Sequence, residues 1–176
     1  QEGKTTTTSN LGRILASNEK AVLIIDCDMR RPSQHLFFEA DNTSGLSNFL
    51  AGNTEDWHAL VQKNEDGAVS LLPAGPEPPH PAELLHSNNM ALLLREAQES
   101  FDMVLLDSPP IQQVSDGLAL GSHVDGTLIV LRAGKTSYDQ LDNGIKKLQE
   151  VNINILGVIL NRVKRERFRE YQGYPG

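Results

Sequence analysis

A chain of 176 residues with 39% hydrophobic and 5% aromatic content has the length and make-up of one α/β domain. Its formal charge of −7, from 23 acidic and 16 basic residues, argues against general nucleic-acid binding. The single cysteine, Cys27, excludes an internal disulfide and fits a reducing compartment, and no apolar run approaches the roughly 20 residues that span a bilayer.

The sequence opens Gln1-Glu2-Gly3-Lys4-Thr5-Thr6, and Gly3-Lys4-Thr5 is the second half of the phosphate-binding pattern G-x-x-x-x-G-K-[ST]. In that pattern Gly3 lets the backbone approach the phosphates, Lys4 reaches the β- and γ-phosphates, and the Thr5 hydroxyl ligates Mg²⁺. Backbone N–H groups at the start of the following helix would bind phosphate oxygens. The first glycine of the pattern and the strand expected before it are not in this sequence. Leu11, Ile14 and Leu15 recur at helical spacing, which predicts a helix over 5–18.

A strand predicted over 21–26 runs into Asp26-Cys27-Asp28-Met29-Arg30-Arg31-Pro32. Strand alternation would turn Asp26 and Asp28 to one side, roughly 7 Å apart, and Cys27 into the core as a structural thiol. Two acids at the end of a buried strand are costly unless a cation sits between them. One of Arg30 and Arg31 is expected to act, on phosphate or on an acidic neighbour. A helix is expected over 44–62, with Trp57 as a core anchor, then a strand over 69–73 and a stiff proline-rich loop over 73–81.

A helix over 88–100 leads to a strand over 102–107 that ends Asp107-Ser108-Pro109-Pro110. The prolines stop the strand. An aspartate there is the second Mg²⁺ anchor of a P-loop enzyme, often through a water; alone, it would equally begin a turn. Mg²⁺ takes oxygen ligands and keeps several waters while bridging phosphates. Asp26, Asp28 and Asp107 together carry too much negative charge to gather without the metal or Lys4.

Helices over 115–122 and 137–151 and strands over 127–132 and 155–160 complete the pattern. Ser137-Tyr138-Asp139-Gln140 reads as a capping box, with Leu141, Ile145, Leu148 and Val151 on one face and Tyr138 structural. Alternating helices and nearly continuous apolar strands predict a doubly wound, mostly parallel sheet with helices on both faces. Ligands of such sheets bind at the carboxyl ends of the strands, where Asp26, Asp28 and Asp107 all fall. The domain is expected over 1–162, with a basic tail over 163–176 that bears Tyr171 and Tyr174. Arg162, Lys164, Arg165, Arg167 and Arg169 are either solvated or attract an acidic neighbour or anionic lipid. His35, His58, His80, His86 and His123 show no metal-ligand spacing.

Three pieces resemble the bacterial tyrosine kinase family: Glu2-Gly3-Lys4-Thr5-Thr6, Ile24-Ile25-Asp26-Cys27-Asp28-Met29-Arg30-Arg31-Pro32, and Val104-Leu105-Leu106-Asp107-Ser108-Pro109-Pro110. The D-x-D-x-R-x-P run is the most specific, and the similarity extends over nearly the whole chain. Members are cytoplasmic P-loop domains of the deviant Walker A type, tied to membrane proteins that control capsule and exopolysaccharide export. The resemblance implies ATP and Mg²⁺ as cofactors, with Gly3, Lys4, Thr5 and Thr6 on the nucleotide and Thr5, Asp28 and Asp107 on the metal. It implies Lys4, Asp26 and Asp28 in catalysis, and autophosphorylation of Tyr171 and Tyr174 by a neighbouring subunit of a ring. It also implies a place at the cytoplasmic face of the bacterial inner membrane, beside a transmembrane co-polymerase that acts as activator.

A tyrosine hydroxyl titrates near about 10, so a carboxylate would help to remove its proton. Asp26, deeper in the strand end, is expected as that base and Asp28 as support for the metal, with the reverse assignment open. By analogy with the fold, Asn161 and Arg162 would contact adenine, although Asn161 equally suits a turn. The family's tail usually carries a dense tyrosine cluster, whereas Tyr171 and Tyr174 stand alone here. Two other functions fit the same residues. One is an ATPase switch of the cell-division and partitioning type, with water as nucleophile. The other is a nucleotide-controlled, non-catalytic assembly module.

Overall fold

Val22-Leu23-Ile24-Ile25 is a run of β-branched and branched apolar residues, and it forms the middle of a sheet. The computed structural model describes residues 2–63, 67–110, 120–121 and 123–163. It divides the chain into two compact units, Lys4–Val124 and a second made of Gln1–Gly3 with Asp125–Gly176. The helix expected over 115–122 falls mostly outside the described residues, and Tyr171 and Tyr174 fall wholly outside them.

In the larger unit, β1 (Val22–Asp26) lies between β3 (Val69–Leu72) and β4 (Met103–Asp107), parallel to both. The short β2 (Gln62–Lys63) pairs antiparallel with β3 at the edge. Every residue of β1 is buried, so its two faces feed two cores. Leu23 and Ile25 join Trp57, Leu72, Met90 and Leu93 on one side, while Val22 and Ile24 join Ala16, Phe38, Val69 and Leu71 on the other. Burying each such Leu or Ile stabilises the fold by about 1.5–3 kcal/mol. The register sets Asp26 directly beside Asp107 at the carboxyl ends of their strands.

The helix α1 (Lys4–Ala16) covers the second core. Its buried residues are Ser9, Gly12 and Ala16, not the larger residues at helical spacing, and Ile14 is 61% exposed. The small stripe wins because it lets the helix approach the sheet. A Cβ on Gly12 would lie 2.7 Å from Ile24 Cδ1 and 3.6 Å from Leu105 Cδ1.

The single helix expected over 44–62 is not formed. In its place come α3 (Leu46–Leu50), a 3-10 turn at His58–Leu60, and β2. The helix α3 stops where Gly52 adopts φ +76 and the Asn53 N–H turns back to the Asn48 carbonyl at 2.9 Å. Trp57 is buried as expected, with its Nε1 donating to Glu96 Oε2 at 2.8 Å. Two five-residue helices, α2 (Gln34–Phe38) and α4 (Pro81–Leu85), are too short to register as periodicity. Pro81 opens α4, where its missing N–H costs nothing, so the proline-rich loop ends at His80. Helix α5 (Asn88–Ser100) starts as predicted, capped by the Ser87 hydroxyl accepting from the Met90 N–H.

In the smaller unit, β5 (Thr127–Arg132) and β6 (Ile155–Asn161) run parallel and are joined by α6 (Tyr138–Glu150). The capping box is formed: Ser137 Oγ accepts from Gln140 N, and Gln140 Oε1 accepts from Ser137 N. At the end of β6 the Asn161 Nδ2 donates to the Glu2 carbonyl at 3.1 Å. Gly3 follows at φ +97, and a Cβ there would run into the Asn161 amide. Both facts require glycine at that position.

The buried stripe of α1 predicts a contrast that urea denaturation would measure. Gly12→Val should lose roughly 1–3 kcal/mol by overpacking against Ile24. Ile14→Ala, on the outward side, should move stability by no more than about 0.5 kcal/mol. A large loss at Ile14 with none at Gly12 would reverse the assignment of the helix faces.

Candidate nucleotide and metal site

Asp26 is the last residue of β1 and has no exposed surface. Its carboxylate is held by the chain that follows it: Oδ1 accepts from Asp28 N at 3.2 Å, and Oδ2 accepts from Ser33 N and Gln34 N, both at 2.9 Å. The segment 27–34 therefore closes around Asp26. Asp28 lies past the end of β1, so alternation along the strand does not reach it. Its position is set by a turn in which the Arg31 N–H donates to the Asp28 carbonyl at 3.1 Å and to Oδ1 at 3.2 Å. Asp28 is half-buried, and Arg30 and Arg31 are exposed.

Cys27 points to the opposite side, into the core with Leu23 and Ile25, as the alternation predicted. Burial, followed by the nearby charges of Asp26, Asp107 and Asp28, pushes its thiol well above the ordinary range. A thiol held protonated in this way is a structural group.

Asp107 ends β4 and is buried beside Asp26. The Gln34 Nε2 donates to its Oδ2 at 2.9 Å. Burial raises its carboxyl above the ordinary range, against the pull of Thr5, Gln34 and the Lys4 charge, and the Asp28 charge adds to the rise. Asp26 rises further, from 3.8 to about 7, first because of burial and then because of the charge on Asp107; the N–H donors of Gln34, Ser33 and Asp28 oppose the shift.

Lys4, Thr5 and Thr6 form the first turn of α1. The partial positive charge of a helix start favours phosphate there. The Thr5 hydroxyl lies 3.0 Å from the Ser33 hydroxyl. The larger unit thus brings together Lys4, Thr5, Asp26, Asp28 and Asp107 at one end of the sheet. Asn161 and Arg162 belong to the smaller unit, at the end of β6. There the Asn161 amide is engaged at both ends, since its Oδ1 accepts from Arg162 N at 2.7 Å while its Nδ2 serves the Glu2 carbonyl.

Among the described residues no group of three or more His, Cys, Asp or Glu is arranged as a protein-only metal cage. The donor set nonetheless suits Mg²⁺, which binds through one or two carboxylates with phosphates and water completing its shell. Asp107 and the Thr5 hydroxyl are oxygen donors of that kind. Sequence reasoning missed Ser33 and Gln34, the residues that clasp the acids. No motif marks them, because their role comes from where the turn after Asp28 delivers them.

The buried acid sets a pH dependence. In the folded chain Asp26 keeps its proton up to about pH 7, whereas unfolded it loses it near 3.8. Between those values the folded state holds the extra proton, so stability falls as pH rises and levels off above about 7. Asp26→Asn removes that slope. In magnesium-free urea denaturation, the variant should gain about 2–3 kcal/mol on the wild type between about pH 5 and about pH 8. An equal difference at both pH values would mean that Asp26 is ionised throughout.

Comparison with known proteins agrees with this geometry. Residues 1–173 match the CobQ/CobB/MinD/ParA nucleotide binding domain. The chain is 40% identical over 175 residues to tyrosine-protein kinase YwqD of Bacillus subtilis (strain 168), covering 99% of this chain and 73% of that protein. It is 35% identical over 169 residues to tyrosine-protein kinase etk of Escherichia coli (strain K12), covering 96% of this chain but 23% of that longer protein. The solved kinase domain of Escherichia coli tyrosine kinase ETK overlays with a TM-score of 0.87 at 32% identity, covering 93% of this chain and 66% of that one. The MinD cell division protein of Aquifex aeolicus overlays at 0.76 and 26% identity, over 97% of this chain and 69% of that one. The P-loop fold, the paired strand-end acids and these likenesses agree: the chain belongs to the CobQ/CobB/MinD/ParA nucleotide-binding domains and, within them, to the bacterial tyrosine-protein kinases.

Proposed function

We propose that this chain is the kinase domain of an ATP- and Mg²⁺-dependent protein-tyrosine autokinase that acts on tyrosines of its own C-terminal tail and thereby regulates capsule or exopolysaccharide synthesis and export. The observation that carries the reading is the pairing of Asp26 with Asp107 at adjacent strand ends, in the same unit as the Lys4-Thr5 helix start. Phosphoryl transfer needs positioning and charge neutralisation more than covalent chemistry, and this arrangement offers both.

In this reading Gly3, Lys4, Thr5 and Thr6 bind the nucleotide phosphates, with Lys4 offsetting charge on the γ-phosphate. Thr5 and Asp107 would hold Mg²⁺, directly or through its waters. Bound there, Mg²⁺ neutralises phosphate charge and orients the transferred group. Burial divides the other two acids. Asp26 is enclosed and saturated by backbone N–H groups, which suits a post around which the loop closes. Asp28 keeps exposed surface, which suits the carboxylate that takes the proton from an incoming tyrosine hydroxyl. This gives Asp28 the base role that depth in the strand alone suggests for Asp26, and leaves Asp26 to hold the loop.

The acceptors are Tyr171 and Tyr174 of a neighbouring subunit, since assembly in a ring raises the local concentration of each tail at the next site. Arg162, exposed at φ +58, is available to adenine; Asn161 braces the loop through the Glu2 carbonyl and would meet adenine only beyond those bonds. Among the described residues no helix is long and apolar enough to cross a membrane. Attachment to the inner membrane is assigned to a transmembrane co-polymerase region, fused to this domain or separate from it.

The test is incubation with Mg²⁺ and ATP, followed by mapping of phosphotyrosine by mass spectrometry. Phosphate should appear on Tyr171 and Tyr174, and Lys4→Ala should lower its rate by roughly a hundredfold or more. Asp28→Asn should also lower the rate by roughly a hundredfold, while leaving nucleotide affinity nearly unchanged. Phosphate released with both tyrosines unmodified would leave an ATPase switch, and absence of nucleotide binding would leave an assembly module.

A further inference from the structure

Gln34 is the first residue of α2 and has no exposed surface. A buried amide is costly unless its donors and its acceptor are satisfied. Here each of them is used. The Nε2 donates to Asp107 Oδ2 at 2.9 Å and to the Thr5 carbonyl at 3.3 Å, and the Oε1 accepts from the Ser9 hydroxyl at 2.7 Å. The Gln34 backbone N–H adds the 2.9 Å bond to Asp26 Oδ2. One residue therefore touches the first turn of α1, the acid at the end of β1 and the acid at the end of β4.

The orientation of the amide follows from its neighbours. Turned over, its oxygen would face the Asp107 carboxylate and the Thr5 carbonyl, three acceptors with no hydrogen among them. Only the observed orientation places a donor between Asp107 and Thr5. The carboxylate of an aspartate otherwise turns in a broad torsional well, and a short bond to one of its oxygens fixes the plane of both. Ser9, buried on the sheet side of α1, holds the far end of the amide.

We propose that Gln34 is a positioning residue for the metal: its side-chain amide, braced by Ser9, locks the Asp107 carboxylate to the first turn of α1, so that Asp107 and the Thr5 hydroxyl meet a nucleotide-bound Mg²⁺ as a preformed pair. The proposal rests on the nucleotide and magnesium reading of the site. It adds a residue that carries no charge, ligates nothing and belongs to none of the motifs.

Gln34→Met keeps length and burial and removes both donors. Binding of a fluorescent ATP analogue, titrated with Mg²⁺ and repeated in excess chelator, separates metal positioning from general structure. Gln34→Met should need about tenfold more Mg²⁺ for half-maximal binding, with affinity in chelator unchanged. Ser9→Ala should shift the Mg²⁺ requirement the same way by a smaller factor, and should add nothing in the Gln34→Met background. Should Gln34→Met fail to fold, the Ser9→Ala shift decides the matter. Equal losses with and without metal, or an unmoved Mg²⁺ requirement, would overturn the role of Gln34 and leave the site reading intact. A wild-type chain that bound no nucleotide would remove that reading, and this proposal with it.

Discussion

Two carboxyl groups are forced together where there is little water to separate them. Neighbouring strands of a sheet lie about 4.8 Å apart, and the β1–β4 register sets Asp26 against Asp107 with both side chains buried. Burial and like charge each penalise ionisation, which is why both acids titrate high. The surrounding chain is organised to answer that penalty. The segment after β1 turns back so that three backbone N–H groups meet Asp26, α2 begins where Gln34 can serve Asp107, and α1 starts with the Lys4 charge close enough to bear on Asp107. What remains unneutralised is an affinity for a cation, and a metal-bound phosphate chain is a chemistry that supplies one.

The approach of α1 is the second condition. Its first turn carries Lys4 and Thr5, so its depth against the sheet decides whether those residues meet the acids at one end of the sheet. Gly12 and Ala16 set that depth by omission, offering nothing that would hold the helix away from Ile24 and Leu105. Ser9 belongs to the same buried stripe and has a polar task in addition, since its hydroxyl lies within bonding distance of both the Thr5 carbonyl and Gln34. Packing and polar positioning therefore share three successive turns of one helix.

Much of this was legible in the sequence. The strands ending in Asp26 and Asp107, the helices α5 and α6, the Ser137-Gln140 box and the buried Cys27 and Trp57 all follow from periodicity, capping chemistry or an apolar run. The failures have physical causes. A stretch with helical apolar spacing over 44–62 breaks because Gly52 turns the backbone to positive φ, which a count of apolar positions does not register. Leu11, Ile14 and Leu15 mark α1 correctly as a helix, but only Leu15 of the three packs against the core at its edge, because close approach puts the small residues at the centre of the contact. Asp28 lies two residues past the end of β1, so its position is set by the turn to Arg31 and not by strand alternation. Gln34 was invisible, since a glutamine that opens a five-residue helix looks like surface until the loop folds it over Asp107.

The bond from Asn161 to the Glu2 carbonyl joins residues 159 positions apart, almost the full length of the chain. A contact of such separation carries the loop-closure entropy of a long span, a cost that is lowered once other contacts have brought its ends close. The residues just before α1 are thus among the last to be secured as the domain folds. A chain lacking β6 would keep the two buried acids and the start of α1 but lose the anchor for Glu2, so the conformation of the segment ahead of Lys4 depends on the strand farthest from it in sequence.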